Sequence, residues 1–267
     1  KNPASIQYEK MASRYMEKLG FQIKYATFED GVSETEFLNT LDYLNTNRSI
    51  HGIIVMQPLP DNIRRTEVAR HISPTENIDG MHAINLGKIM AQDQNVLYPS
   101  TVKAVMEIFR YYAVDVSGKT VVVIGKSNTV GKPLSVLLMN QGATVINCHT
   151  LTTDLGHFTK QADILISATG AIGLISKEDV KKGAVVIDVG YNFVGKKAFG
   201  DIKYEEVLEV ASAITPVPGG VGSVTTASLA HQLAQAAKWL SRKRGDFIEQ
   251  REKNTQKINV TVPFKTR

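Results

Sequence analysis

Apolar and polar positions alternate in regular blocks from residue 120 onward, and the blocks predict strands and helices in turn. Short apolar runs predict strands at 120–125, 143–148, 163–168 and 184–189. Helical spacing between them predicts helices at 133–141, near 154–161 and at 176–180, with a longer helix after a loop at 215–225. Continuous apolar runs are typical of strands buried on both faces, so this alternation indicates a parallel, doubly wound sheet.

The first hundred residues show a similar but less regular pattern. It predicts a helix from Pro3 to Leu19, a strand at 21–28, a helix at 34–45, a strand at 50–57 and a helix at 63–71. A polar loop at 73–87 and a helix at 100–112 follow. We therefore predict an α/β protein with two α/β domains, the second a Rossmann-like parallel sheet. The predicted domains are 1–100 plus about 230–267, and 101–229.

Composition narrows the class of protein. The 267 residues are 43% hydrophobic and 21% charged, which is typical of a globular chain. The single cysteine, Cys148, fits a reducing compartment, and no apolar run predicts a membrane span or a signal peptide, so we expect a cytoplasmic protein without a membrane partner. The net charge of +5 is spread along the chain, with basic residues concentrated only in 238–257, so we expect no nucleic-acid partner.

The segment Thr120–Pro133, TVVVIGKSNTVGKP, predicts a strand, a tight turn and a helix start. Glycine permits close backbone approach, and a helix N-terminus favours a phosphate, so the turn is a candidate dinucleotide site. An ordinary strand–helix turn also favours Gly and Pro. Ser127 stands where the standard fingerprint has its second glycine, so the residues alone leave both interpretations open.

Three further loops follow predicted strands or precede the last helix: ATG at 168–170, DVGYN at 188–192 and TPVPGGVGSVT at 215–225. In parallel sheets ligands bind beyond the carboxyl ends of the strands. Gly and Pro at these places are equally consistent with ordinary loop chemistry.

Seven motifs occur in an order that resembles the methylenetetrahydrofolate dehydrogenase/cyclohydrolase family: NPASxxY, VxxPLP, NIDGxH, GxSxxVGxP, ATG, IDVG and TPVPGGVGxxT. The resemblance runs from Asn2 to about Lys238. It implies two α/β domains around a cleft, with a homodimer formed through the nucleotide domain. It also implies oxidation of 5,10-methylenetetrahydrofolate to the 5,10-methenyl cation with NADP or NAD, which many members then hydrolyse to 10-formyltetrahydrofolate.

The resemblance also implies a folate site, with Tyr8 and Asp79 as its catalytic residues. Tyr8 is expected to pack on the aromatic body of the folate, and Asp79 to accept hydrogen bonds from the donor edge of the pterin. The remaining implied substrate-binding residues are Val55, Gln57, Pro218, Gly219, Gly220 and Val221. Without the family, Tyr8 fits a core tyrosine and Asp79 an ordinary turn residue.

The implied cofactor site has no metal and comprises Gly125, Lys126, Ser127, Gly131, His149, Thr150, Thr169, Gly170, Gly190 and Tyr191. Tyr191 stands where the family usually has isoleucine. An NAD site often has an acid at the end of the second strand, but here no acid follows His149 until Asp154. With Lys126 nearby, the sequence favours NADP, with NAD as the alternative.

Two positions depart from the family. Its catalytic lysine, four residues after the tyrosine, is replaced by Ala12, and its strand-end glutamine is replaced by Met56, with Gln57 one place later. Lys10 lies on a different side of the helix from position 12. Because directing water needs polar groups more than hydride transfer does, we predict a dehydrogenase with weak or absent cyclohydrolase activity. The alternatives are a bifunctional enzyme and a catalytically degenerate folate- or nucleotide-binding protein.

Family members also have a helix and a strand before NPAS, and that strand belongs to the N-terminal sheet. We expect either that the sequence is a shortened form or that another segment takes the place of the strand. The alternating segment 258–264 is one candidate.

Overall fold

The computed structural model describes residues 3–195, 197–244 and 265–266. The chain divides into two compact units. The first contains the described residues of Lys1–Gly87, Asn95–Tyr98 and Leu229–Gln256, and the second those of Lys88–Gln94, Pro99–Ser228 and Lys257–Arg267.

The helices within the described ranges are α1 Pro3–Lys18, α2 Glu34–Thr46, α3 Arg65–His71, α4 Ala83–Met90, α5 Ser100–Tyr111, α6 Gly131–Asn140, α7 Leu155–Thr159, α8 Tyr204–Leu208 and α9 Val221–Arg244. The strands are β1 Thr120–Ile124, β2 Thr144–Cys148, β3 Ile164–Ser167, β4 Val185–Asp188, β5 Asn192–Val194, β6 Lys197–Phe199, β7 Ala213–Ile214 and β8 Lys265–Thr266. A short 3₁₀ helix spans Lys177–Asp179.

The second unit contains a sheet with the strand order β2-β1-β3-β4-β7-β8. The first five strands are parallel, and β8 pairs antiparallel with β7 at the edge. In the middle of the sheet, Val122 lies between Ile146 of β2 and Leu165 of β3. This arrangement confirms the predicted doubly wound parallel sheet.

Alternate residues of the central strands enter two separate apolar cores, one on each face of the sheet. Val121, Val123 and Ile166 pack with residues of α5, α6 and the start of α9. Val122 and Leu165 pack on the other face with residues of α7 and α8. Because side chains alternate across a strand, two helical layers bury both faces and explain why these strands are continuously apolar.

Several short elements of the second unit escaped the sequence analysis. The hairpin of β5 and β6, helix α8 and the two-residue strand β7 follow β4. Helix α9 begins at Val221, so the second half of the predicted 215–225 loop is helical. Elements this short contain too few residues to establish a periodic pattern.

The first unit forms its core mainly from helices and irregular segments. One cluster joins Met16 of α1 to Ile78, Leu97 and the α9 residues Leu229 and Ala236. A second cluster has six buried members, Phe37, Leu41, Ile53, Ile63, Val68 and Ile72. Helices α1, α2 and α3 confirm the helices predicted in this part of the chain.

The strands predicted at 21–28 and 50–57 were wrong. Segment 21–28 is irregular, and segment 50–57 makes a single parallel bridge, between Ile53 and Asn77. Phe28 instead packs its ring on Phe37, at 4.7 Å between centroids. An alternating pattern records only which side chains are apolar, whereas a strand also requires a neighbouring backbone to pair with.

The predicted loop 73–87 ends earlier than expected, because α4 begins at Ala83. His82 precedes this helix, and its Nδ1 accepts a hydrogen bond from the backbone N–H of Ile84 at 3.0 Å. The candidate strand 258–264 lies outside the described residues. Among the helices of the described ranges, none combines the length and the apolar character that crossing a membrane requires.

Candidate active site

The first unit brings Tyr8 and Asp79 within electrostatic range of each other. Tyr8 is partly buried on α1, and Asp79 is partly buried on the loop before α4. Burial raises the pKa of Tyr8 to about 12, and the negative charge of Asp79 adds to this shift. The phenol therefore remains protonated at neutral pH and can donate a hydrogen bond, while Asp79 offers a carboxylate beside it.

Hydrogen bonds on both sides of Asp79 fix its loop. The side-chain oxygen of Asn77 accepts from the backbone N–H of Met81 at 2.6 Å. Gln232 is fully buried on α9, and its amide donates to the backbone carbonyl of Ile78 at 2.8 Å. Asp79 is thus presented on an ordered loop.

The positions that depart from the family lie in different environments. Ala12 is buried with 7% of its surface exposed, whereas Lys10 is exposed. Met56 is half-buried and Gln57 is exposed. Val55 packs against the second core cluster of the first unit. The structure therefore has no amine at position 12 and no amide at position 56, and the nearby polar residues Lys10 and Gln57 are exposed.

In the second unit, the turn after β1 is closely packed against the first turn of α6. Gly125 has a φ of +123°, which favours glycine. A Cβ on Gly131 would lie 1.8 Å from the carbonyl oxygen of Gly125, so position 131 cannot carry a side chain in this conformation. Ser127 accepts a hydrogen bond from the N–H of Val130 at 3.1 Å, and Lys126 is exposed. This cradle of backbone at a helix N-terminus fits a phosphate group.

The loop after β2 contains two of the predicted cofactor residues. His149 is half-buried, its N–H donates to the Oγ1 of Thr152 at 2.9 Å, and Thr150 is exposed. The first acid after this strand, Asp154, accepts from the N–H of His157 at 3.2 Å and caps α7. This first carboxylate after the strand therefore caps a helix, which agrees with the absence of a ribose-binding acid at the strand end.

The loops after β3 and β4 are joined by buried carboxylates. Thr169 and Gly170 donate their backbone N–H groups to Asp201, at 2.7 and 3.3 Å. Gly190 donates its N–H to Asp188 at 2.9 Å. Burial raises the pKa of Asp188 to about 7, although N–H donors from the backbone oppose the shift. Sequence reasoning missed Asp201, because a lone Gly-Asp pair after a hairpin is an ordinary turn sequence.

The PVPGGVG segment leads directly into α9. Pro218 and Gly219 are exposed, and Gly219 has a φ of +100°. A Cβ on Gly220 would lie 2.3 Å from the carbonyl oxygen of Pro216, and Val221 packs into the core. The segment thus presents Pro218 and Gly219 on a backbone that is closely packed at Gly220.

Tyr191 brings two of the predicted loops together. Its ring lies beside the first turn of α9, since a Cβ on Gly222 would be 4.0 Å from its Cδ2 and Cε2 atoms. Tyr191 also makes an edge contact with Phe193, at 5.3 Å between ring centroids. The cofactor-side loop after β4 and the PVPGGVG segment are therefore neighbours within the second unit.

The structure thus contains two groups of candidate site residues, each built within its own unit. Two of the predicted substrate residues, Gln57 and Pro218, take part in cis peptide bonds, at Gln57–Pro58 and at Val217–Pro218. Across the described ranges, His, Cys, Asp and Glu form no cluster of three that could bind a metal. The fold and these two groups of residues together define a two-domain α/β protein whose second unit has a Rossmann-like sheet.

Comparison with known families identifies the class more closely. Residues 1–79 match the catalytic domain of tetrahydrofolate dehydrogenase/cyclohydrolase, and residues 99–241 match the NAD(P)-binding domain of the same family. The chain belongs to the tetrahydrofolate dehydrogenase/cyclohydrolase family, which confirms the resemblance seen in its motifs.

Individual relatives are similar over most of their length. The bifunctional protein FolD of Bacillus licheniformis is 43% identical over 238 residues, 89% of this chain and 84% of the relative. The crystal structure of the bifunctional FolD of Campylobacter jejuni is 39% identical, with a TM-score of 0.87 over 89% of this chain and 84% of that one. The FolD of Trypanosoma brucei, solved with NADP and an inhibitor, is 31% identical, with a TM-score of 0.87 over 90% and 84% of the two chains.

Proposed function

We propose that this protein oxidises 5,10-methylenetetrahydrofolate to the 5,10-methenyl cation with NADP. The observation that carries the proposal is the retention of Asp79 beside Tyr8, in a chain that matches both domains of the family. In the reaction, the bridging methylene carbon loses a hydride, and the lone pair of a neighbouring nitrogen stabilises the cation that remains. When bound, NADP supplies the nicotinamide ring that accepts this hydride.

The first unit is proposed to bind the folate. Asp79 is an acceptor for the paired N–H donors of the pterin edge, and its ordered loop lowers the cost of orienting that contact. Tyr8 is proposed to pack on the aromatic body of the substrate. Its raised pKa means that its hydroxyl stays neutral throughout the physiological range, so it does not compete with Asp79 for cationic groups.

The second unit is proposed to bind NADP. The close packing of Gly131 against Gly125 places the turn after β1 at the N-terminus of α6, whose backbone N–H groups are proposed to bind the pyrophosphate. The exposed Lys126 provides positive charge for a 2′-phosphate, and Asp154 is already engaged in capping α7. NADP in the Trypanosoma brucei relative supports the same choice of cofactor for this chain. Loss of preference for NADP over NAD in Lys126→Ala would support this role, and an unchanged preference would contradict it.

The comparisons favour a bifunctional enzyme over the dehydrogenase-only interpretation. Two Bacillus relatives, 43% and 42% identical, are both named as bifunctional proteins. The prediction of a weak cyclohydrolase rests on Ala12 and Met56 alone. We therefore propose that the chain also adds water to the methenyl carbon, breaks one carbon–nitrogen bond and releases a proton to give 10-formyltetrahydrofolate. We take Lys10 and Gln57, which lie close in sequence to Ala12 and Met56, as the candidate polar side chains that could assist.

One assay tests both reactions. Purified protein receives methylenetetrahydrofolate with NADP and then with NAD, while NADPH and the methenyl cation are followed at separate wavelengths. Reduction of NADP without accumulation of the cation supports the bifunctional enzyme, and Lys10→Gln and Gln57→Leu then show which side chain assists. Accumulation of the cation, with decay only at the spontaneous rate, supports the dehydrogenase alone. No reduction of either cofactor would contradict the proposal and favour a binding protein.

We also propose that the protein forms a homodimer through its second unit. The proposal is supported by exposed apolar side chains on the loop after β3, the loop before β5 and the β5–β6 hairpin, namely Ile172, Leu174, Tyr191, Val194 and Phe199. Clustered exposed apolar residues commonly mark protein interfaces. Sedimentation should show a dimer that Val194→Lys weakens, and a monomer at all concentrations would contradict the proposal.

A further inference from the structure

Asp201 is a fully buried carboxylate that accepts five hydrogen bonds from two segments of the second unit. Its Oδ2 accepts from the hydroxyls of Ser167 and Thr169, at 3.0 and 2.9 Å, and from the N–H groups of Thr169 and Gly170. Its Oδ1 accepts from the side-chain amide of Asn192 at 3.2 Å. The carboxylate therefore connects the end of β3 to the hairpin that follows β4.

A second buried carboxylate fixes the backbone of Asp201. The side chain of Asp188 accepts from the N–H groups of Asp201 and Ile202, both at 3.0 Å. Glycine is required where the backbone passes each carboxylate. A Cβ on Gly190 would lie 2.1 Å from the Oδ1 of Asp201, and one on Gly200 would lie 1.9 Å from the Oδ2 of Asp188. The two acids and two glycines form one closely packed unit.

The contacts continue from this unit to the turn after β1. Ala168, which precedes Thr169, donates its N–H to the carbonyl of Ile124 at 2.8 Å. A Cβ on Gly125 would lie 2.5 Å from the carbonyl oxygen of Ala168, so the two turns pack backbone against backbone. The loop that Asp201 orients is therefore in direct contact with the proposed pyrophosphate turn.

We propose that Asp201 is a positioning residue for the dinucleotide, because its buried carboxylate orients the Thr169–Gly170 backbone beside the Gly125 turn. The inference rests on the proposed function, since it assumes that this edge of the sheet binds NADP. Asp201 itself is not proposed to contact the dinucleotide. It acts through the loops, and its full complement of donors makes those loops rigid before the cofactor arrives.

The test compares Asp201→Asn with Asp163→Asn in the full chain. Asp163 precedes the same strand at its opposite end, where it accepts from the N–H of Thr120 at 2.9 Å and pairs with Lys181 at 2.7 Å. In Asp201→Asn, a neutral amide replaces the charged acceptor and must place its NH₂ group toward other donors. We expect the Kd for NADPH and the KM for NADP to rise about tenfold, as for the loss of charge-assisted hydrogen bonds.

The KM for methylenetetrahydrofolate should change less than about twofold in Asp201→Asn, and Asp163→Asn should leave both constants near those of the wild type. NADPH fluorescence gives the Kd, and steady-state rates give the KM values. Equal increases in both KM values, or an unchanged Kd for NADPH, would overturn the positioning role. If Asp201→Asn does not fold, Ser167→Ala removes one donor only and should raise the Kd for NADPH about threefold. An unchanged Kd in that variant would overturn the proposal as well.

Failure of the proposed function would be recognised separately. A wild-type protein that neither binds NADPH nor reduces NADP would contradict the dehydrogenase itself. A wild-type protein that does both, with variants of Asp201 and Ser167 that bind NADPH normally, would contradict only the positioning role.

Discussion

Replacing Gln232 by leucine should destabilise the first unit and loosen the loop that presents Asp79. The buried amide of Gln232 donates to the carbonyls of Ile78 and Tyr98, at 2.8 and 2.9 Å, and its oxygen accepts from the N–H of Tyr98 at 2.6 Å. Leucine has a similar volume but makes none of these bonds. The variant thus isolates the polar contribution of a single side chain.

The size of the effect follows from the groups that lose their partner. Each buried polar group left without a hydrogen bond costs about 1–3 kcal/mol. Ile78 is 2% exposed and cannot easily recruit water, whereas Tyr98 is half-buried and can do so in part. We therefore expect Gln232→Leu to lower the free energy of unfolding of this unit by about 3–5 kcal/mol. Because Ile78 directly precedes Asp79, the KM for the folate should rise as well.

Urea unfolding followed by tryptophan fluorescence measures the change in the free energy of unfolding of the first unit. The single tryptophan of the chain, Trp239, packs against the same apolar cluster as Ile78. Gln235→Leu on the same helix is the matched control, because Gln235 is half-buried and its side chain makes no hydrogen bond within the described residues. A loss below about 1 kcal/mol for Gln232→Leu, or one equal to that of the control, would refute the reasoning.

Three further predictions concern candidate site residues within the two units. Gly131→Ala places a Cβ 1.8 Å from the carbonyl oxygen of Gly125, so kcat/KM with NADP should fall about 100-fold in steady-state kinetics. Circular dichroism should show that the variant still folds. Near-normal kinetics would contradict the close packing. Burial raises the pKa of Asp188 to about 7 in the folded protein, above its unfolded value, so its contribution to stability is fully present at low pH and is lost as the pH rises toward 7. The stability of Asp188→Asn relative to the wild type should therefore increase between pH 4 and pH 8. At about 1.4 kcal/mol per pKa unit, the increase should be on the order of 4 kcal/mol. A difference in thermal unfolding that does not depend on pH would refute this prediction. Burial raises the pKa of Tyr8 to about 12, and the negative charge of Asp79 contributes to the shift, so Asp79→Asn should lower that pKa. An ultraviolet titration measures it, with Tyr8→Phe to identify the signal of this tyrosine. Identical titrations with and without the Asp79 charge would argue against the proximity of the two residues.

Much of the second unit followed from the sequence because its strands are buried on both faces. Burial on both faces leaves long apolar runs, and Gly and Pro mark the places where each run turns into a helix. In the first unit, the same kind of pattern predicted strands at 21–28 and 50–57 that the structure does not contain. An apolar pattern reports burial, but it does not report whether a neighbouring backbone is available for pairing.

The candidate site residues also differ in how far the sequence could identify them. Tyr8 and Asp79 were recognisable only through the family motifs, because a helical tyrosine and a turn aspartate are ordinary residues in isolation. The glycine turn after β1 was visible as a pattern, but the reason for Gly131 emerged only from its contact with Gly125.

The sequence by itself determined the class of fold, the family and the segments that carry the candidate site residues of each unit, because these depend on local periodicity and on motifs of neighbouring residues. Only the tertiary structure decided which buried polar groups position those segments. Asp201 meets Ser167 across 34 residues of sequence, and Gln232 meets Ile78 across 154. A hydrogen bond between such distant residues leaves no periodic trace in the chain, since it depends on where folding places two side chains rather than on their spacing.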